Sequence, residues 1–178
     1  MERSRLLGRP TSHEYDPYFE AYVSLAPEDD IVAGLAAQGD DTQRMLAHIS
    51  DADASIPPAP GEWTLKQVVG HLTDSERVFS YRILRFSRGD LTPLAPFDQD
   101  QFVAAAAFND RPFADLLDEL AALRRATVYL VASLPPASEL IRGVAFQGET
   151  SVRAIAWITL GHERKHLNDI KQNFAHLL

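Results

Sequence analysis

Two histidines near the end of the chain have the spacing of a metal-ligand pair. His162 and His166 lie four positions apart, so a helix would place both imidazoles on one face, one turn apart. Mostly apolar residues share or border that face, which predicts that both rings point into the protein: Val152, Ile155, Thr159 and Ile170. Neutral imidazole is a good ligand for zinc, nickel, copper and iron. The pair therefore predicts half of a metal site, although two core histidines with ordinary hydrogen bonds would give the same pattern.

A third ligand is needed, because a catalytic site of the zinc type commonly has three protein ligands and one open position. His71 is the best candidate, since it lies inside a predicted helix and follows Gly70, which leaves room for a neighbouring helix or ligand. His13, His48 and His176 are better explained as solvated or helix-terminal histidines. The chain has no cysteine, so a thiol that takes part in the chemistry must be a substrate.

The segment from His162 to His166 also matches the H-E-x-x-H pattern of zinc proteases, with Glu163 as the general base. The extended form of that motif requires glycine and histidine where this chain has Asp169 and Gln172. No glutamate follows Glu163 to act as a distant ligand. The protease interpretation therefore lacks its third ligand, whereas His71 lies upstream.

Four long amphipathic helices are predicted to position these histidines. The first helix is expected to start at Pro27 to Asp30, and the second at a capping box formed by Thr64 and Gln67. The third is expected to start at Asn109 to Asp110, with Pro112 in its first turn, and the fourth at Thr150 or Ser151. Residues 51–61 are expected to form a loop, residues 98–107 a short helix, and residues 137–150 a small hairpin or an irregular crossing. The pattern predicts an all-α, four-helix bundle, and its long connections predict a crossover. Residues 1–27 are read as an aromatic N-terminal arm packed on a domain of residues 28–178.

Composition narrows the functional classes. The 178 residues suit one domain, and a net charge of −8 without a basic stripe argues against a nucleic-acid binder. No apolar run is long enough to span a membrane, and the N-terminus lacks the apolar stretch of a signal peptide. A cytoplasmic protein without a membrane partner is therefore the expectation.

Two motifs carry a resemblance to a known family. The segments WTLKQVVGHLTDSER (63–77) and GHERKHLNDI (161–170) resemble the DinB-like (YfiT-like) superfamily of metalloenzymes, and the likeness extends over most of the chain. It implies a four-helix bundle with a crossover and a divalent metal, nickel or zinc, bound by His71, His162 and His166. Family activities imply transfer of a low-molecular-weight thiol, such as mycothiol or bacillithiol, to an electrophile, or hydrolysis of a small substrate. Metal ions lower the pKa of a bound thiol or water, which suits either reaction.

The alternative is a non-catalytic, stress-related metal-binding bundle, which a closed metal site without a pocket would favour. Further side chains could support the site from outside the ligand set: Glu76, Glu163 and Asp169. For Glu163 a solvated or surface-paired carboxylate is the favoured interpretation. For Glu76 that interpretation and a hydrogen bond to a ligand imidazole are nearly even. Arg77 and Arg82 could meet an anionic substrate, although arginine on the outer face of a helix needs no function. A homodimer is expected from the apolar arm and the long helices.

Overall fold

The computed structural model describes residues 8–145 and 148–178, and these ranges contain helices and one small β-hairpin. The α-helices are α1 (Glu20–Val23), α2 (Ile31–Leu46), α3 (Asp51–Ala54), α4 (Leu65–Ser87), α5 (Gln99–Ala105), α6 (Phe113–Ala132) and α7 (Val152–Asn173). Short 3-10 helices occur at Pro17–Phe19, Phe108–Asp110, Pro136–Ser138 and Ala175–Leu177. Strands β1 (Arg142–Ala145) and β2 (Gly148–Ser151) pair antiparallel, with Arg142 opposite Ser151.

The long helices begin where side chains can satisfy their free amide groups. Asp30 accepts hydrogen bonds from the first turn of α2, and Ser151 caps α7 through the amide of Ala154. At α4, Thr64 and Gln67 form the predicted capping box, each side chain bonding to the other residue's backbone amide. These local signals explain why the predicted starts of α2, α4 and α7 agree with the structure to within a few residues.

Two local predictions differ from the structure. The third long helix starts at Phe113 rather than at Asn109, because Pro112 is extended and the residue before a proline avoids the helical region. The amide of Phe113 donates to Asp51 Oδ1 at 2.7 Å, which replaces a local cap. Residues 51–54, expected within a loop, form the single turn α3, because the Ser50 side chain caps it.

The four long helices form a bundle in which α2 and α4 each pack against both α6 and α7. Successive helices α2 and α4 therefore occupy opposite corners, as do α6 and α7, and the chain crosses the end of the bundle to connect them. This arrangement confirms the predicted all-α bundle with a crossover. Of the two alternatives expected for residues 137–150, the structure shows the small hairpin. Among the described residues, no helix is long and apolar enough to cross a lipid bilayer.

The core divides into two apolar clusters along the bundle axis. One cluster includes Ile83 and Ile155 and lies towards the hairpin, and the other includes Leu72 and Leu167. Between these clusters each long helix contributes buried polar side chains: Thr42 from α2, His71 and Glu76 from α4, Arg124 from α6, and His162 and Glu163 from α7. The bundle therefore contains a polar layer across its middle, and this layer includes the histidines.

The N-terminal arm packs on the bundle, as predicted. Tyr15, Phe19 and Val23 are buried in the cluster nearest the hairpin. Helix α1 approaches α7 so closely that a Cβ atom on Gly161 would lie 1.9 Å from the carbonyl oxygen of Tyr22. Glycine at position 161 is therefore required for this approach. The first seven residues of the arm lie outside the described residues, and the domain boundary at residue 27 stays a prediction.

Glu14 joins the arm to the start of α7. Its carboxylate accepts hydrogen bonds from the amide and hydroxyl of Thr11, from Ser151 Oγ at 2.8 Å and from Arg153 Nε at 2.7 Å. Burial alone would raise the pKa of Glu14, but the hydrogen bonds and the charge of Arg153 outweigh it and lower the pKa to about 2.

Glu14→Gln should therefore destabilise the protein by about 1–3 kcal/mol at neutral pH, the usual range for hydrogen bonds to a charged group. The pKa of Glu14 in the folded protein lies below its unfolded value of 4.5. The difference in free energy of unfolding between wild type and variant should therefore be largest above about pH 5 and should shrink as the pH falls towards 2. Urea unfolding at several pH values measures this difference, with the exposed Glu149→Gln as control. A difference that does not change with pH would contradict the assignment.

Candidate metal centre

Helices α4 and α7 bring the three predicted histidines together. The candidate ligand nitrogens of His71, His162 and His166 all lie within 4.8 Å of one another. His71 Nε2 is 3.2 Å from His162 Nε2, and each pair of imidazole centroids is separated by 4.7–5.1 Å. The first two side chains are buried and that of His166 is half-buried.

The separation of the two Nε2 atoms suits a shared ion. Bonds of about 2.0–2.1 Å at a tetrahedral angle hold two ligand nitrogens about 3.3 Å apart. The 3.2 Å between His71 and His162 is close to that value, and the candidate ligand nitrogen of His166 lies within 4.8 Å of both. A set of three imidazoles without a thiolate or carboxylate suits zinc, nickel and several other divalent ions. The residues present therefore fit a divalent ion.

The three imidazoles are kept in their neutral, ligand-competent form. Burial lowers the pKa of His71 to about 3 and that of His166 to about 4. Burial also holds the pKa of His162 well below its ordinary value, and the neighbouring histidines act in the same direction. At neutral pH all three rings can therefore offer a lone pair to a cation without first losing a proton.

Neighbouring side chains hold the imidazoles in place. Ser75, one helical turn after His71, is fully buried with its Oγ 3.4 Å from His71 Nδ1. A proton on Nδ1 directed at Ser75 would leave Nε2 free to face the other two rings. Tyr22 and Phe79 contact the His162 ring at centroid distances of 5.5 Å, and Trp63 lies 5.1 Å from the His71 ring. These aromatic rings reduce the access of water to the histidines.

Two clefts lead to the histidines. The first has a volume of about 240 Å³ and is lined by His71, His162 and aromatic side chains of the arm and α4. The second, of about 310 Å³, is lined by His166, Trp63 and residues at the end of α7. The candidate metal centre is therefore buried within the bundle but open to small molecules on two sides.

A buried ion cluster lies beside the histidines. Arg124 donates to Glu76 at 2.7 and 2.9 Å and lies 2.6 Å from Glu163 Oε2. Thr42 Oγ1 donates to Glu163 Oε1 at 2.6 Å, and Arg124 also donates to the carbonyl oxygen of Leu35 at 3.2 Å. Burial raises the pKa of Glu163, although Arg124 and Thr42 act in the opposite direction. We name this set of Thr42, Glu76, Arg124 and Glu163 the Arg124 cluster, and it takes one side chain from each long helix.

Comparison with known proteins places this fold and site in a family. The sequence model of the DinB superfamily matches residues 35–170, a range that includes all three histidines and most of the chain. The chain belongs to the DinB superfamily. No curated protein sequence gives a significant match.

This DinB-superfamily chain is also similar to a solved structure, that of YfiT from Bacillus subtilis. That protein is described as "a probable metal-dependent hydrolase with an unusual four-helix bundle topology". The two chains share 15% identity, the alignment covers 93% of each, and the TM-score is 0.66. At this identity the likeness supports the bundle fold and leaves the chemistry to the residues of each chain.

The other site candidates occupy different places in this DinB-superfamily fold. Glu163 is buried, so the expectation of a solvated carboxylate is wrong, and Glu76 is buried as well. Both carboxylates contact Arg124, and within residues 8–145 and 148–178 neither is hydrogen-bonded to a site histidine. Asp169 binds Lys165 on the surface of α7 and also lines the second cleft. His13, His48 and His176 are exposed, as expected for solvated or terminal histidines.

Sequence reasoning missed Arg124 and Ser75. Arg124 continues the apolar spacing of Leu117 and Leu120 on α6, which is a sequence signal that this arginine faces the core. Ser75 lies four positions after His71, the same spacing that identifies the histidine pair of α7. Both signals are readable in the sequence but are not specific without knowledge of the facing helices.

Arg124→Met should destabilise the protein by about 3–5 kcal/mol, because it leaves two buried carboxylates without their cation. Adding Glu76→Gln and Glu163→Gln to that variant should restore part of the loss, because the uncompensated charges are then removed. Urea unfolding followed by circular dichroism measures these changes. The exposed neighbour Arg125→Met is the matched control and should change stability by less than about 0.5 kcal/mol. An Arg124→Met variant as stable as the control would show that the cluster contributes little.

Proposed function

We propose that this chain is a metal-dependent enzyme in which His71, His162 and His166 hold one divalent ion, zinc or nickel. The observation that carries the proposal is the convergence of three neutral imidazoles, of which His71 and His162 line one cleft and His166 lines another. Three protein ligands leave a coordination position for a reactant, which is the arrangement of catalytic rather than structural sites. The description of YfiT as a probable metal-dependent hydrolase supports the same class of function.

The proposed reaction is transfer of a low-molecular-weight thiol to an electrophile, or hydrolysis of a small substrate. A divalent ion would lower the pKa of a bound thiol or water and so supply a nucleophile near neutral pH. The chain's own residues hold the ligands, pack Tyr22, Phe79 and Trp63 against the imidazoles, and shape the cleft for the second reactant. The absence of cysteine from the sequence is compatible with a thiol that enters as substrate.

The two clefts favour a reaction with two substrates. One cleft reaches His71 and His162, and the other reaches His166 from the end of α7. A thiol and an electrophile could therefore approach the ion from different sides. The same openness disfavours the non-catalytic metal-binding bundle, for which a closed site without an adjacent pocket is expected.

A homodimer and a cytoplasmic location stay predictions. Analytical ultracentrifugation tests whether the protein is a homodimer.

Metal analysis of protein prepared without a histidine tag tests the ligand set. The protein should bind about one equivalent of zinc or nickel, and binding should raise its thermal midpoint. His71→Ala should weaken binding by more than the roughly 10–100-fold typical of losing a residue that only supports a ligand. It should also abolish the rise in thermal midpoint. His48→Ala, an exposed histidine outside the site, is the control. Equal metal content in both variants would overturn the proposed ligand set.

Cobalt(II) can report whether a thiol reaches the ion. On addition of 2-mercaptoethanol or cysteine to cobalt-loaded protein, an intense sulfur-to-cobalt absorption band should appear, and it should be missing in His71→Ala. This result would favour thiol transfer. Hydrolysis of small nitrophenyl esters by the zinc- or nickel-loaded protein, without any thiol band, would favour the hydrolase. Loss of ester hydrolysis in His71→Ala but not in His48→Ala would assign that activity to the site.

A further inference from the structure

Arg82 is an exception among the buried charged side chains of the described residues. Glu14, Lys66, Glu76, Arg124 and Glu163 each lie in an ion pair. Arg82 is only 5% exposed, yet no carboxylate within residues 8–145 and 148–178 lies at ion-pair distance from it. Its guanidinium donates to the carbonyl oxygen of Ala95 at 3.3 Å, which uses one of its five N–H groups. Burying an unpaired charge is costly, so this position needs a physical explanation.

The position of Arg82 links it to the candidate metal centre. Its side chain lines the cleft that also reaches His71 and His162. On α4, Arg82 follows His71 by eleven positions, which places it on the same helical stripe about 16 Å further along the axis. Arg82 and the two histidines therefore line one cleft from positions about three helical turns apart on α4 and on the facing α7.

Much of the wall of this cleft is aromatic. Tyr22 and Phe79 lie beside His162, and Phe97 lines the same cleft as Arg82. Such walls suit a flat apolar body, while a few polar groups fix its orientation. Asp98 also lines this cleft, but its oxygens accept hydrogen bonds from Asp100 and Gln101. Its negative charge would disfavour a dianion such as a phosphate monoester more than a monoanion.

We propose that Arg82 binds the carboxylate of a small, monoanionic substrate whose apolar body lies along the aromatic walls and whose reacting end faces the three histidines. The assignment of the reacting end rests on the proposed function, whereas the carboxylate site stands on Arg82 itself. A guanidinium presents a planar set of donors that matches a carboxylate in a bidentate pair. Burial lowers the pKa of Arg82, as expected for a cation without a protein counter-charge, and a bound carboxylate would supply that counter-charge.

Binding of 3-phenylpropionate, compared with its neutral analogue 3-phenylpropionamide, tests the proposal by calorimetry or ligand-observed NMR. Wild-type protein should bind the carboxylate in both the zinc-loaded and the metal-free form, and should bind the amide much more weakly. Arg82→Gln should weaken carboxylate binding by about 10–100-fold in both forms and leave amide binding unchanged. Arg82→Lys keeps the charge but not the planar donor set, so its affinity for the carboxylate should lie between those of wild type and Arg82→Gln.

Arg77→Gln is the matched control, because Arg77 lies on the same helix but is exposed and paired with Glu119. Circular dichroism checks that each variant is folded, and the carboxylate–amide comparison on wild type holds even if Arg82→Gln does not fold. Equal binding of carboxylate and amide, or an Arg82→Gln variant that binds the carboxylate like wild type, would overturn the proposal. If carboxylate binding depends on Arg82 but the protein takes up no metal, the carboxylate site is supported and the metal function is refuted. If the protein takes up metal but carboxylate binding does not depend on Arg82, the metal function is supported and the carboxylate site is refuted.

Discussion

The interaction on which the site depends is the contact of Arg124 with two carboxylates inside the bundle. Its guanidinium touches Glu76 of α4 and Glu163 of α7, and it donates to the backbone of α2. Buried polar contacts are directional, whereas apolar contacts tolerate rotation and sliding of helices. The Arg124 cluster can therefore fix the rotation and register of α4 against α7. His162 precedes Glu163 directly, so the same register places its ring opposite His71.

The charge of this layer complements the proposed ion. Three neutral imidazoles bring no negative charge to a dication, so the compensating charge must come from further away. Glu76, Arg124, His162 and Glu163 line one small internal space, which places the two carboxylates next to the histidines. Arg124 is shared by these two carboxylates, and any negative charge that the cluster retains would stabilise a nearby cation more strongly than a solvated carboxylate would.

Much of the fold follows from local sequence signals, because helix caps and apolar periods act within a few residues. The capping box at Thr64 and the cap at Ser151 set the starts of α4 and α7. The spacing of His162 and His166 is likewise a local feature. By contrast, Arg124 reaches partners that are remote along the chain, and no local period identifies them. The pairing of the helices is not a local signal either. His71 is the best candidate for the third ligand in the sequence, and the family resemblance implies that it joins the other two rings.

The burial of Glu163 and Arg82 depends on neighbours that the apolar period of one helix does not show. Sequence periodicity assigns one inward face to a helix, but the middle of α7 is buried all round from Ala154 to Glu163. Glu163 is therefore buried although it lies off the face of the histidines. For Arg82 the sequence leaves two interpretations open, contact with an anionic substrate or a place on the outer face of α4. The side chain is buried, and its guanidinium donates to the carbonyl oxygen of Ala95 in the segment that follows α4. Segments outside the four long helices cover some charged residues of those helices, which then line a cleft instead of facing water.

The N-terminal arm determines the shape of the first cleft. Tyr22 forms part of its wall, and the backbone of the same residue rests against Gly161, directly before His162. The position of that wall is therefore tied to α7 by a contact that no other residue at position 161 would permit. Glu14 holds the arm at the opposite end of its packing surface, through Ser151 and Arg153. The arm therefore shapes one wall of this cleft, while the long helices hold the histidines and the Arg124 cluster.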